Sequence, residues 1–220
     1  MTARRSFLAR LGAAAAAFRL GSASASAQDA APSRSVTPSG RWQPAFEAKD
    51  DWLEAIPGKH RLFFDAVSPE GVPSAIQFAG NFFSANKSGY GLEASEVAVV
   101  ICLRHRATQF AFTDAVWSKH GAALSESEKF TDPKTGQVPS TNVFRTGLEN
   151  HIKRGVHLAV CDLSTHRLAS FIARKMENGN ADAVYKELTT NALANVHFVA
   201  AGILAVNRAQ ERGYALSYVG

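Results

Sequence analysis

Short apolar runs alternate along the chain with longer segments in which apolar residues recur at helical spacing. The second run, EVAVVICL, is nearly continuous in valine and isoleucine, which is typical of a strand covered on both faces. The five runs span residues 60–67, 96–103, 156–160, 196–200 and 214–219, and the helical segments span residues 72–85, 110–119, 143–154, 162–176, 181–193 and 202–212. This alternation predicts an α/β domain with a five-stranded parallel sheet, helices on both faces and right-handed crossovers.

The third run leads through Cys161 directly into a helical segment, which is the pattern of a strand-to-helix corner. First-turn amides of a helix are unpaired and the helix dipole favours an anion, so a thiol at this corner can react as a thiolate. Ser164, Thr165 and His166 follow as candidate site residues, and Arg167 adds positive potential. The alternative is that Cys161 is an inert, buried strand residue.

Polar residues also follow the first two runs. Asp65 lies at the end of the first, and Arg104, His105 and Arg106 form a polar loop after the second. Because the carboxyl ends of parallel strands meet at one edge of a sheet, we expect these residues to lie on the same edge as Cys161. They form a candidate anion-binding pocket, with a solvated loop as the alternative.

Catalysis at this edge would require Cys161, His166 and Asp65 to lie within hydrogen-bond reach of one another. We therefore treat these three as candidate catalytic residues. No tight Cys/His spacing predicts a metal site, and the glycine-rich nucleotide-binding motifs are absent, so no metal or cofactor is expected.

The first 27 residues have the order of a twin-arginine signal peptide. The sequence TARRSFL is followed by an alanine-rich stretch and by the small-residue cleavage site Ala25-Ser26-Ala27. The apolar stretch is far shorter than the roughly 20 residues that cross a membrane, and Arg19 interrupts it. We expect a periplasmic protein with a signal peptide over residues 1–27, a flexible lead and short aromatic segment over 28–58, and a folded domain over 59–220.

The basic excess of the chain belongs mostly to this predicted signal peptide. The full chain has 24 Lys and Arg against 19 Asp and Glu, and four of those basic residues but no acidic ones lie in residues 1–27. The remainder is therefore nearly neutral, and neither nucleic acid nor an anionic membrane is an expected partner.

Residues 122–141 contain turn residues and charges with little periodicity. This pattern predicts an insertion or mobile loop, and loops of this length often serve as lids or subunit contacts.

Three stretches resemble the DsrE/DsrF-like family of sulfur-relay proteins, which includes the TusD-type carriers. They are EVAVVICLRH, the strand VHLAVCDLST with cysteine at its end, and the closing VAAGILAVNRAQERGYALSYV. The stretch RHRATQF, residues 104–110, is similar to the R-H-x-A-T-x-F stretch of exported members of that family. The resemblance covers roughly residues 60–220.

The resemblance implies a flavodoxin-like three-layer sandwich with strand order 2-1-3-4-5, in which Cys102 and Cys161 lie on strands that are not neighbours. Both are therefore expected to be free thiols. It also implies a persulfide on Cys161, a sulfur-donor or acceptor protein as partner, and a homo-oligomer that is a trimer or a multiple of one. The glycine that follows the cysteine in relay members is absent here, where Asp162 stands.

Two functional classes follow. One is a periplasmic sulfur or thiol-handling carrier that acts through Cys161. The other is a non-enzymatic oligomeric module that binds a small anion or a partner protein. An accessible Cys161 at a helix N-terminus favours the first, and a Cys161 buried among apolar side chains favours the second.

Overall fold

A computed structural model describes residues 43–44 and 47–220; the predicted signal peptide and residues 28–42 lie outside that part. The strands are β1 (His60–Ala66), β2 (Val97–Leu103), β3 (His157–Cys161), β4 (Val196–Val199) and β5 (Ala215–Val219). The α-helices are α1 (Asp51–Ala55), α2 (Gly71–Tyr90), α3 (Asp114–Glu128), α4 (Arg145–Ile152), α5 (Asp162–Lys175), α6 (Ala181–Thr190) and α7 (Gly202–Glu211).

The strands form one parallel sheet in the order β4-β3-β2-β1-β5. The predicted α/β class and five-stranded parallel sheet are confirmed, and the architecture is consistent with a flavodoxin-like fold. The predicted order 2-1-3-4-5 is wrong, because β2, β3 and β4 follow one another on one side of β1 and only β5 lies on the other. All seven residues of β2 are buried, which fits an interior strand rather than the edge strand that was expected.

The two faces of the sheet carry separate clusters of buried side chains. The larger cluster joins Phe64, Ile101 and Leu158 to apolar residues of α2 through α6, and we call this side the α2–α6 face. The smaller joins Phe63 and Val100 to apolar residues of α1 and α7, and we call this side the α7 face. Right-handed crossovers explain the division, since successive steps in one direction place their helices on one face and the return from β4 to β5 places α7 on the other.

The segment after β2 is more helical than predicted. Residues His105–Ala111 form a 3-10 helix where a polar loop was expected. Helix α3 continues to Glu128, so the predicted insertion over residues 122–141 is wrong in its first third.

A shorter connection, residues 129–144, remains between α3 and α4. Phe130 and Asn142 are buried within it, and the Asn142 amide donates to the backbone oxygens of Phe110 and Phe112 at 2.8 Å each. These contacts attach the connection to the body of the domain.

Helix α1 covers part of the α7 face. The Trp52 ring stacks on His197 of β4 with centroids 4.0 Å apart, and His197 Nε2 lies 2.8 Å from His157 Nδ1 on β3. Burial lowers the pKa of His197 to about 4, and the neighbouring His157 contributes to this shift. Within the described residues, every helix is too short or too polar to cross a membrane.

Candidate functional site at the carboxyl edge of the sheet

Cys161 is the last residue of β3 and the N-cap residue of α5. Helix α5 leaves β3 on the α2–α6 face, whereas the neighbouring strand β4 leads into α7 on the opposite face. Adjacent connections that diverge in this way open a crevice beyond the strand ends, which is where open α/β sheets bind ligands. Cys161 therefore lies at a topologically favoured position.

The thiol of Cys161 is largely covered, since only 7% of the residue is exposed. Its side chain makes no capping hydrogen bond to the first turn of α5, where serine, threonine, aspartate or asparagine is the usual residue. Thr165 is fully buried and donates its hydroxyl to the Cys161 carbonyl oxygen at 3.0 Å, while Ser164 is half-buried beside it. Thr165 thus supports the corner rather than facing a ligand.

Cys102 and Cys161 are both free, as expected, but the predicted reason is wrong because their strands are neighbours. Cys102 is level with Ala159, two residues before Cys161. That offset separates the two Cα atoms by roughly 8 Å, given the spacing between strands and the rise per residue. A disulfide needs roughly 7 Å or less, so register rather than strand order keeps the thiols apart.

The Asp65 carboxylate forms an ion pair with Arg104 and makes no hydrogen bond to Cys161 or His166. Arg104 Nε and Nη2 donate to the two carboxylate oxygens of Asp65 at 2.6 and 2.8 Å. The side chain of Asp65 is 4% exposed and that of Arg104 22%. The hydrogen bonds that Arg104 donates to Asp65 raise the pKa of Arg104.

The first residue of α7 makes room for this pair. A Cβ atom on Gly202 would lie 2.5 Å from Arg104 Cβ, so only glycine lets the arginine side chain pass the helix N-terminus. The Cys102 thiol lies 3.9 Å from the Gly202 carbonyl oxygen. Burial, and then the charge of Asp65, raise the pKa of Cys102 well above its ordinary value.

Arg106 and Arg167 share one buried carboxylate. Arg167 Nη2 donates to Glu128 Oε1 at 2.6 Å, and Arg106 Nε lies 3.7 Å from Glu128 Oε2 while its Nη2 donates to the Glu128 backbone oxygen at 2.7 Å. The Glu128 side chain is 3% exposed. Both cations that were expected to serve the site therefore pair with one carboxylate at the end of α3, which offsets one of their two positive charges.

His166 lies on α5 beside Tyr185 of α6, and its ring stacks on the tyrosine with centroids 3.9 Å apart. Its Nε2 is 3.6 Å from Asp162 Oδ2, and the Tyr185 hydroxyl donates to Asp162 Oδ1 at 2.7 Å. This hydrogen bond, together with burial, raises the pKa of Tyr185 to about 12. The structure thus brings His166 to Asp162 and Tyr185, and Cys161, His166 and Asp65 do not form a hydrogen-bonded trio.

His105, like His166, is a predicted site residue that is exposed. It follows Arg104 in the left-handed region at φ 53°, a conformation that non-glycine residues seldom adopt and that is enriched at functional sites. Continuing the register of β2 and β3 by one residue places Arg104 level with Cys161. His105 is therefore the histidine nearest in register to the thiol.

The sequence interpretation missed Tyr218, Glu128 and Gly202. Tyr218, Asp65 and Cys102 lie level on three adjacent strands, and Tyr218 is 64% exposed. Tyr218 was missed because the sequence of the last strand does not show which strand pairs with it. Glu128 was missed because it lies in a segment that was interpreted as a loop.

The arrangement provides a thiol at a helix N-terminus, with arginines nearby that are already paired. Arg104, Arg106 and Arg167 each contact a carboxylate, but Asp65 and Glu128 supply only two negative charges, so the predicted anion pocket is compensated in part. In the part of the chain that the structure describes, no group of three His, Cys, Asp or Glu side chains could hold a metal ion.

The chain matches no protein-family model and no curated protein. The resemblance to the DsrE/DsrF-like family, and what it implies for function, stays a prediction.

Proposed function

We propose that the protein is an exported thiol-handling carrier that accepts sulfur on Cys161. The observation that carries this proposal is the position of Cys161 as the N-cap of α5, at the crevice where the connections after β3 and β4 diverge. The first-turn amides of a helix favour an anionic group, and the thiolate is the nucleophilic form of cysteine.

The reaction is a transfer between thiols. The Cys161 thiolate attacks the terminal sulfur of a donor persulfide, the donor sulfur–sulfur bond breaks, and the donor leaves as a thiolate while Cys161 becomes a persulfide. No oxidant or reductant is consumed. A donor or acceptor protein with a reactive cysteine is the partner that this chemistry requires.

Export and self-association belong to the same proposal. The twin-arginine motif and cleavage site support transport of the folded protein to the periplasm. Large apolar side chains exposed on α7 and β5 support an oligomer, with a trimer or a multiple of it as the form that the resemblance implies; they are Ile203, Leu204, Leu216 and Tyr218.

The proposal is tested by loading the protein with a low-molecular-weight persulfide and measuring its intact mass. We expect a gain of one sulfur atom in the native protein and in Cys102→Ser, and none in Cys161→Ser. Loading that survives Cys161→Ser would overturn the carrier function.

A second candidate is a non-enzymatic oligomeric module for a small anion or partner protein. The 7% exposure of Cys161 favours it. Alkylation by iodoacetamide separates the two candidates. The carrier predicts that Cys161 reacts at least tenfold faster than the fully buried Cys102, whereas the module predicts equally slow labelling of both.

A further inference from the structure

A second concave surface lies at the opposite, amino edge of the sheet. This amino-edge groove has a volume of about 540 Å³ and is formed where the α1–β1 connection, the start of β2 and the α4–β3 connection meet. Its lining includes the exposed Pro57 and the partly buried Ala94, together with Lys153, Arg154 and His157. The volume falls within the range of small-molecule sites, which are mostly apolar with a few polar groups.

The two cations of the groove differ from those of the carboxyl edge. Lys153 and Arg154 are exposed, and neither lies within ion-pair distance of a carboxylate among residues 43–44 and 47–220. Nearby lysines are paired, Lys59 with Glu96 and Lys87 with Glu93. The amino-edge groove thus carries positive charge that no carboxylate of the described residues offsets.

Arg154 is also held in place. Its guanidinium lies over the Phe83 ring, 4.2 Å from the centroid, at the boundary with an adjoining hollow of about 360 Å³. Basic residues after the C-terminus of a helix interact favourably with its dipole, which accounts for two cations after α4. This interaction with the dipole needs no carboxylate partner, so the hydrogen-bond donors of Lys153 and Arg154 contact no carboxylate among the described residues.

We infer that the amino-edge groove binds a small amphipathic organic anion, namely a carboxylate with an aromatic or short aliphatic body. The carboxylate would pair with Lys153 and Arg154, and the apolar body would cover Pro57 and Ala94. Charge complementarity in a groove with apolar walls favours such a ligand over an inorganic anion, which would leave the apolar lining unused.

This site is separate from the proposed chemistry at Cys161. His157 and Cys161 are the two ends of β3, roughly 13 Å apart at the usual rise per strand residue. The sulfur-loading experiment and the ligand experiment can therefore fail independently.

The test uses 3-phenylpropanoate as the probe and 3-phenylpropanol as its neutral counterpart, followed by ¹H–¹⁵N chemical shifts. We expect the carboxylate to shift the amides of Gly155 and His157 and to bind at least tenfold more tightly than the alcohol. Lys153→Gln/Arg154→Gln should weaken carboxylate binding at least tenfold and leave alcohol binding unchanged.

The matched control is Arg174→Gln/Lys186→Gln, which also removes one arginine that lies over a phenylalanine and one exposed lysine. It should bind the carboxylate as the native protein does. Equal affinity for acid and alcohol, equal loss in both double variants, or shifts confined to residues outside the groove would overturn the inference. Weakening of the native complex by salt provides the same test without substitution.

Discussion

Five helices cover one face of the sheet, whereas α1 and α7 alone cover the other. The α2–α6 face holds the large aromatic and aliphatic core. The α7 face holds both cysteines, the Asp65–Arg104 pair and the exposed Tyr218. The contrast indicates that the α2–α6 face contributes most of the stability, while the candidate chemistry lies on the α7 face, which fewer helices cover.

The largest expected effect compares the two faces at adjacent residues of β1. Phe63 is buried on the α7 face and Phe64 on the α2–α6 face, at 0% and 1% exposure. We expect Phe64→Ala to lower the free energy of unfolding by about 4 kcal/mol and Phe63→Ala by about 3 kcal/mol, because the two short helices α1 and α7 can settle into a cavity more readily than five interlocked helices. Urea unfolding of both variants measures this, and equal or reversed values would contradict the comparison.

The next effect concerns ion pairs. Arg104→Gln leaves the buried Asp65 carboxylate without a countercharge, and we expect a loss of about 2–3 kcal/mol in the free energy of unfolding. Arg167→Gln should cost less, about 1 kcal/mol, because Glu128 keeps Arg106. Thermal or urea unfolding compares the two, and a larger loss in Arg167→Gln would show that Glu128 depends on Arg167 alone.

The positions of the strands could be predicted from the sequence, but their order in the sheet could not. The apolar runs located all five strands within a few residues, because burial on both faces leaves a continuous pattern. Strand order left no such pattern. A strand whose two faces are covered is apolar whether it lies in the interior of the sheet or at its edge, so the composition of β2 does not reveal its position. The predicted order relied on a resemblance, and the structure differs from it.

The candidate site was predicted only in part for a related reason. Cys161 was placed correctly because a strand-to-helix corner is a local feature. The pairing of Arg106 and Arg167 with Glu128 was not foreseen, because Glu128 lies 22 and 39 residues away and contacts them only after α3 has packed. Sequence proximity of basic residues to a cysteine does not establish a positive field.

A smaller effect is expected from the histidines of the α7 face. His197 has a pKa of about 4 in the folded protein, below the ordinary value of 6.5. As the pH falls from about 6.5 toward 4, the unfolded chain therefore takes up a proton that the folded protein does not, and stability is lost. We expect a loss of about 1–2 kcal/mol after allowance for partial solvent exposure.

His197→Phe tests this assignment, since phenylalanine keeps a ring against Trp52 but does not titrate. Its free energy of unfolding should depend less on pH between 6.5 and 4 than that of the native protein. The pKa of His151, on the α2–α6 face, is also lowered by burial, so some dependence should remain. An unchanged profile would mean that His197 is not responsible.

The smallest expected effect concerns the N-cap residues of two helices, one on each face of the sheet. On the α2–α6 face, Asn180 caps α6 by accepting the Ala183 amide at 3.0 Å, and Asn180→Ala should cost about 1 kcal/mol. On the α7 face, Ala201 is the N-cap of α7 in an extended conformation and has no side-chain acceptor. Ala201→Ser should therefore stabilise the protein by about 0.5 kcal/mol, because a serine oxygen there can accept an amide of the first turn. Differential scanning calorimetry of both variants measures the pair. A destabilised Ala201→Ser would show that the start of α7 is limited by its packing against Arg104 and not by a missing cap.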